Sequence, residues 1–257
     1  MPERDLTLIA EAAREAGALA RRFWKASPKV WEKPGLGPVT EADLAVNDLL
    51  ADRLRSARPG YGWLSEESPD DGARLDCERL FILDPIDGTR AFIAGEKHFA
   101  ISIAVVENGR PIAGAIHLPA LDRLYTAPEN GPAKCNDVPI VCADRAGLTG
   151  ANILMSKSFL DAEHWRDPPR DLKRSFRSSI AYRLCLVAEG SFDGMISTRD
   201  AWEWDIAAGS LIAARAGAAV SDRTGQPLRF NAAGAKTAGI FTAPPKVHRE
   251  ILANFRP

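Results

Sequence analysis

The chain has no long hydrophobic run. Its longest uncharged stretches, Pro111–Leu121 and Ala146–Ser156, are eleven residues each, about half of the roughly 20 apolar residues that a membrane-spanning helix needs. Neither sign of charge dominates: 33 Lys+Arg stand against 34 Asp+Glu, a formal net charge of −1. This balance argues against a nucleic-acid polymer as partner, because such binding rests on a broad basic surface. Cysteine is scarce, with four residues, no C-x-x-C pair and no Cys/His zinc spacing, so neither a disulfide framework nor a zinc module is expected. The opening MPERDLTL carries acidic residues where a secretory leader would carry positive charge before an apolar run. Together with the cysteine usage it makes the cytoplasm the expected compartment. Also missing are G-x-S-x-G, H-E-x-x-H, G-x-x-x-x-G-K-[ST] and a G-x-G-x-x-G after a strand. The histidines (His98, His117, His164, His248) show no ligand spacing.

What is present is an ordinary globular composition, 46% hydrophobic and 26% charged, with enough apolar material for a sizeable core. Leu6, Ile9, Ala13, Ala16, Ala20 and Phe23 recur at helical spacing, which predicts an amphipathic helix over 6–24. The Pro- and Gly-rich stretch 27–38 reads as a loop. Thr40 then opens a second helix to about Arg58, with Leu44, Asn47 or Asp48, and Leu54 in register. RLFIL at 79–83 is a β-rich run that stops abruptly in DPIDGT, and further strands are expected at 99–106, 112–118 and 123–127. After Gly147 strands and helices alternate: a strand at 152–156, a helix at 180–189, a strand at 193–197 and a helix from Asp205 to about Ala216. Antiparallel strands followed by alternating units suggest two halves, residues 1–145 and 146–257.

The acidic residues with chemical promise lie in three short motifs: Glu66-Glu67 in WLSEES, Asp84 and Asp87 in DPIDGT, and Asp205 in WDIAAG. A strand ending in DPIDGT places two carboxylates at its C-terminal edge, where open α/β sheets bind ligands. Gly88 lets the backbone approach an anion, and TRAFIA after it can start a short helix. Each motif alone has a plainer reading: Asp-Pro and Asp-Gly make turns, Asp205 caps a helix, and Glu66-Glu67 is a solvated pair. Together, the carboxylates make a site for hard divalent cations, since Mg²⁺ takes oxygen ligands and keeps waters for substrate oxygens to replace. Without a metal, such a cluster carries costly like charge. Two or three Mg²⁺ would polarise a phosphoryl group, activate a water and stabilise the leaving alkoxide.

WLSEES, DPIDGT and WDIAAG, in this order, resemble the motif set of the inositol monophosphatase family of Mg²⁺-dependent, lithium-sensitive phosphatases. PVTEAD at 38–43 and RLCLVAEG at 183–190 fit it too, so the resemblance spans about residues 6–245. It implies a layered αβαβα sandwich and direct in-line attack of an activated water on a small phosphorylated metabolite, by a monomer or a homodimer. Glu66 would then be a metal ligand that helps hold the attacking water. Asp84 would bridge two metals, the Ile86 carbonyl would bind the first, and Asp87 and Asp205 the second. Gly88 and Thr89 would offer backbone N–H groups to the phosphate, and the Thr89 hydroxyl, oriented by Asp43, would stand against the water. Thr40-x-x-Asp43 also reads as a capping box, and the two roles of Asp43 are compatible. Lys33 would neutralise charge near the metals or stay solvated; Glu67 would support the site from behind.

For substrate, family members divide among inositol phosphates, 3′(2′),5′-bisphosphonucleotides, histidinol phosphate and fructose bisphosphate. The inositol enzymes often carry a Glu seven residues before the WD aspartate; here that position is Thr198. RLCLVAEG and ENGRPIAGAIHLPALDRLYTA look more like bacterial bisphosphonucleotide phosphatases, with Arg183 or Arg199 as a bidentate partner for a second phosphate. An inositol-1-phosphate phosphatase is the alternative, and a histidinol-phosphate enzyme is a further one, although KHFAISI replaces its Trp-Gly segment. A haloacid-dehalogenase-type phosphatase fails on spacing, since it needs D-x-D. A non-catalytic metal- and anion-binding regulator would be free to lose Glu66, Thr89 or Asp205, yet all three are present.

Overall fold

The computed structural model describes residues 2–35 and 37–256. Helix α1 (Pro2–Phe23) buries Ile9, Ala12, Ala13, Ala16 and Ala20, so the expected apolar stripe is the packed one. Residues 27–38, expected as a loop, instead form most of a hairpin, β1 (Val30–Lys33) against β2 (Gly37–Thr40). Prolines at its turn and edge remove no needed ladder bond, which is why they read as loop signals. Helix α2 (Glu41–Ala57) starts on Thr40, whose hydroxyl accepts the Ala42 N–H in a full capping box with Asp43. Its buried face is Val46, Asn47, Leu50 and Leu54; Leu44, expected in register, is exposed.

A seven-stranded sheet follows, ordered β3 (Gly62–Ser65), β4 (Arg79–Asp87), β5 (Ala100–Glu107), β6 (Arg110–Leu118), β7 (Arg123–Pro128), β8 (Lys134–Cys135) and β9 (Val138–Pro139). Strand β3 runs parallel to β4, and the others pair antiparallel. Short α3 (Thr89–Ile93) leaves the end of β4. The second sheet, ordered β11-β10-β12-β16-β14, comprises β10 (Asn152–Leu154), β11 (Lys173–Ser175), β12 (Gly194–Ser197), β14 (Ala219–Ser221) and β16 (Ile240–Ala243). Between these strands come α4 (Ile180–Ala188), a two-residue pair β13 (Ala201–Trp202) with β15 (Lys236–Thr237), and α5 (Glu203–Arg215); α6 (Pro245–Asn254) closes the chain.

Side-chain alternation sets the layers. On β4, Phe81 and Leu83 pack with α1 and α2, while Leu80 and Ile82 pack with α4 and α5. Both faces of this sheet are covered, so its central strands are apolar throughout. The other face of α4 and α5 meets Leu154, Met195 and Ile240 of the second sheet. That sheet's far face holds Ile153, Ile196 and Phe241 against Val247 and Ile251 of α6. The order is therefore helices, sheet, helices, sheet, helix, the expected αβαβα sandwich.

Candidate active site

Asp84 and Asp87 are three residues apart, a spacing that a regular strand would split between its two faces. Strand β4 does not stay regular. Asp84 lies opposite Ser102 and Asp87 opposite Ala100, so three steps on β4 match two on β5. This bulge, which also accommodates Pro85, returns both aspartates to the same face of the sheet. That face is the one α5 covers, and the Ser102 hydroxyl donates to the Trp204 carbonyl there. Asp205 stands one residue further along α5. One carboxylate oxygen each from Asp84, Asp87 and Asp205 lie within 4.8 Å of one another. Asp205 was expected at the helix start as a cap; α5 begins two residues earlier, which puts it inside the first turn.

The remaining residues converge from neighbouring elements. Glu66 follows β3, and its N–H reaches the Leu83 carbonyl at 3.3 Å. The Asp84 carboxylate accepts the Ile86 N–H at 2.9 Å, which ties the bulge into shape. Gly88 takes φ +96°, and a Cβ there would lie 3.0 Å from the His98 carbonyl oxygen, so glycine is required. The Thr89 hydroxyl stands 3.1 Å from both Asp43 Oδ1 and the Ile86 carbonyl. Asp43 Oδ2 meanwhile accepts the Thr40 N–H at 2.8 Å, so this residue caps α2 and holds Thr89 at once. The Lys33 ammonium bonds Glu66 at 2.9 Å and Glu67 at 2.7 Å.

Burial raises every aspartate of the cluster. Asp84 is pushed well above the usual carboxylate range by burial, then by the charges of Glu66, Asp87 and Asp205. Asp205 keeps a solvent-facing edge, yet burial and the charge of Asp87 raise it as well. Asp87 rises only to about 6: burial is opposed by the Ser179 hydroxyl and the Ala181 N–H, each 2.6 Å away. Asp43 is raised by burial, against its bonds to Thr40 and Thr89. Glu67 reaches about 7, mainly through burial. Burial lowers Lys33, but Glu67 and Glu66 together outweigh it and leave its pKa raised. At about 4.8 Å and an effective dielectric near 20, each like-charged pair costs about 3 kcal/mol. An oxygen-only donor set that repels itself fits a hard divalent cation.

Nothing comparable gathers Thr198 and Arg199. Thr198 follows β12 with its carbonyl taken by Arg223 at 2.9 Å, and Arg199 is exposed. Arg183 does approach: it is buried in α4, and Asp87 and Asp205 oppose the lowering of its pKa by burial. Its N–H groups, however, are bonded to the Arg177 and Ser178 carbonyls.

Residues 2–256 match the model of the inositol monophosphatase family. The chain belongs to that family. It is 33% identical over 235 residues to the 3′(2′),5′-bisphosphate nucleotidase CysQ of Escherichia coli O157:H7, covering 88% of this chain and 93% of the relative. It is 35% identical over 237 residues to an inositol-1-monophosphatase of Mesorhizobium japonicum, covering 86% of each. Among solved structures, the IMPase of Thermotoga maritima superposes with a TM-score of 0.83 at 29% identity, covering 98% and 96%. This inositol monophosphatase relative is therefore a phosphoric monoester hydrolase, with an acidic cluster able to hold metal. Among its described residues no helix is long and apolar enough to cross a membrane. The sequence reading left out Ser179, which bonds Asp87; Ser before an apolar helical run is an N-cap signal that could have located it.

Proposed function

We propose that this phosphatase hydrolyses a 3′(2′),5′-bisphosphonucleotide, releasing inorganic phosphate by direct in-line attack of water. The observation that carries the reaction is the convergence of Asp84, Asp87 and Asp205 beside a Thr89 hydroxyl held by Asp43. Asp84, Asp87, Asp205, Glu66 and the Ile86 carbonyl would hold two or three Mg²⁺. Bound there, Mg²⁺ supplies charge neutralisation for the phosphoryl oxygens and acidity for a water.

The protein's own groups do the positioning. Thr89 has one hydroxyl proton, and giving it to Asp43 leaves the oxygen's lone pairs for the attacking water. Asp43 is anchored by the N-terminus of α2, so the pair is preorganised rather than assembled on binding. Gly88 and Thr89 would offer backbone N–H groups to the phosphate. As the water oxygen bonds to phosphorus it gives up one of its two protons, the ester P–O bond breaks and the leaving oxygen takes up one proton. The water's oxygen and one hydrogen thus end on the released phosphate, and its other hydrogen is accounted for on the alcohol. Glu66 is largely buried, its side chain 17% exposed, and already faces a cation in Lys33, so it can exchange that ammonium for metal.

The substrate reading is supported by Thr198, where the inositol enzymes often carry Glu, and by Arg183 beside Asp87 and Asp205. The inositol-1-phosphate alternative is favoured by the 35% identity to an inositol-1-monophosphatase. Phosphate release with Mg²⁺ from adenosine 3′,5′-bisphosphate and from inositol 1-phosphate in parallel tests the choice. Faster release from the nucleotide is the expected result. Faster release from inositol 1-phosphate overturns the substrate reading, and full activity in high Li⁺ counts against the shared mechanism.

A further inference from the structure

Next to the acidic cluster lies its electrostatic opposite. The segment 170–179 reads RDLKRSFRSS, with Arg170, Lys173, Arg174 and Arg177 in a chain whose net charge is only −1. Among the described residues, neither Arg174 nor Arg177 forms an ion pair. Between these two arginines Phe176 stands 45% exposed. Its ring packs on the Arg183 guanidinium, 4.3 Å from the centroid, and the Arg174 guanidinium lies over it more loosely at 5.7 Å. Arg183 in turn feels the charges of Asp87 and Asp205. The ring thus rests on a residue of α4, the helix whose N-cap Ser179 bonds Asp87.

Arg177 is tied to the same place through its backbone. Its carbonyl is bonded by Arg183, and two residues later the Ser179 hydroxyl bonds Asp87. Its charge reaches His98, whose carbonyl lies against Gly88. Among the described residues, its side chain is held only by an N–H to the adjacent Phe176 carbonyl and by the face of Phe192, 5.5 Å from the guanidinium. A cation so placed, without a carboxylate, fits an anionic group brought in by the substrate. An exposed ring flanked by arginines fits a nucleobase, since aromatic stacking accepts any base.

We propose that Arg177 and Phe176 form the rim that selects nucleoside bisphosphates, Arg177 pairing with the phosphate that is not cleaved and Phe176 stacking on the base. This rests on the proposed bisphosphonucleotide reading and names the residues that enforce it. A cyclitol phosphate, with neither a second phosphate nor a planar base, gains nothing from this rim.

The test is steady-state kinetics with Mg²⁺ on adenosine 3′,5′-bisphosphate, adenosine 3′-monophosphate and inositol 1-phosphate, using wild type, Arg177→Gln, Arg177→Lys and Phe176→Ala. Arg177→Gln is expected to raise KM for the bisphosphate about tenfold, the usual weight of one charge-assisted contact. Its kcat should hold, its KM for the two monophosphates should move little, and Arg177→Lys should recover part of the loss. Phe176→Ala is expected to raise KM for both adenosine substrates and not for inositol 1-phosphate. A wild type that prefers the bisphosphate but whose Arg177→Gln variant keeps its KM, or shifts all three substrates alike, overturns the rim alone. A wild type that prefers inositol 1-phosphate overturns the substrate reading and the rim with it.

Discussion

Asp84 is buried among the charges of Glu66, Asp87, Asp205 and Asp43. Asp84→Asn keeps the shape and removes one charge, so its effects on activity and on stability should have opposite signs. Turnover with Mg²⁺ is expected to fall at least about a hundredfold, as losing several kcal/mol of charge stabilisation requires. The metal-free variant should melt higher than metal-free wild type, by about 2–4 °C per kcal/mol of repulsion relieved. A variant that loses activity and also melts lower would mean that Asp84 is a structural anchor. Thr89→Val asks a narrower question, because it keeps the volume and deletes only the hydroxyl. Its kcat is expected to drop by about 10²-fold or more, with KM for the bisphosphate nearly unchanged, if the hydroxyl orients the attacking water. A raised KM with intact kcat would assign Thr89 to substrate binding alone.

At the scale of elements, the position of Asp205 depends on how closely α5 can approach its neighbours. Gly209, one turn beyond it, makes the approach possible: a Cβ there would fall 2.5 Å from Leu184 Cδ1 and 2.8 Å from Leu184 Cβ on α4. The first atom could swing away, but the second cannot move without its helix. Gly209→Ala gains up to about 1 kcal/mol of helix propensity and loses about 1–3 kcal/mol to overpacking. Net destabilisation in urea is therefore expected, together with lower turnover as α5 shifts. A stabilised variant of full activity would show that the helices are loosely packed. The same motif shows what could be read in advance. DPIDGT and WDIAAG are legible because they compress bulge, turn and close packing into six residues. The long strands and α1, α2, α4 and α5 are legible from their periodicity. Of the second sheet, β10 and β12 are legible as the strands expected at 152–156 and 193–197; the β1–β2 hairpin, β3, β11, β14 and β16 are not, because runs so short show no alternation. Phe176 and Arg177 were invisible for another reason: an exposed ring and an unpaired arginine acquire meaning only from what α4 places beside them.

For the whole molecule, the cluster is a standing cost that metal relieves. Asp87 has an ordinary value of 3.8 and a folded value of about 6, so the folded state holds a proton that the unfolded chain has released. Its stabilising contribution is complete below 3.8 and is lost as pH rises through about 6. Asp84 and Asp205, also raised, act in the same direction, and Glu67 at about 7 extends the loss upward. The buried histidines His117 and His248, lowered by burial, act in the opposite direction, stabilising as pH rises. Comparing melting with and without Mg²⁺ at each pH cancels their contribution. Mg²⁺ is expected to raise Tm more near pH 7.5 than near pH 5, because binding has fewer protons to displace at the higher pH. An equal rise at both would place the metal away from the raised carboxylates.

Phosphate release from adenosine 3′,5′-bisphosphate, measured in EDTA and then across a Mg²⁺ titration for wild type and Asp205→Asn, bears on the central claim most directly. Asp205 comes from α5 and the other two aspartates from β4, so the cluster exists only in the assembled sandwich. Wild type is expected to be silent in EDTA and to regain turnover with Mg²⁺, whereas Asp205→Asn stays low at concentrations that saturate wild type. Turnover that persists in EDTA, or an Asp205→Asn variant that matches wild type, would contradict a metal-dependent centre built on these three carboxylates.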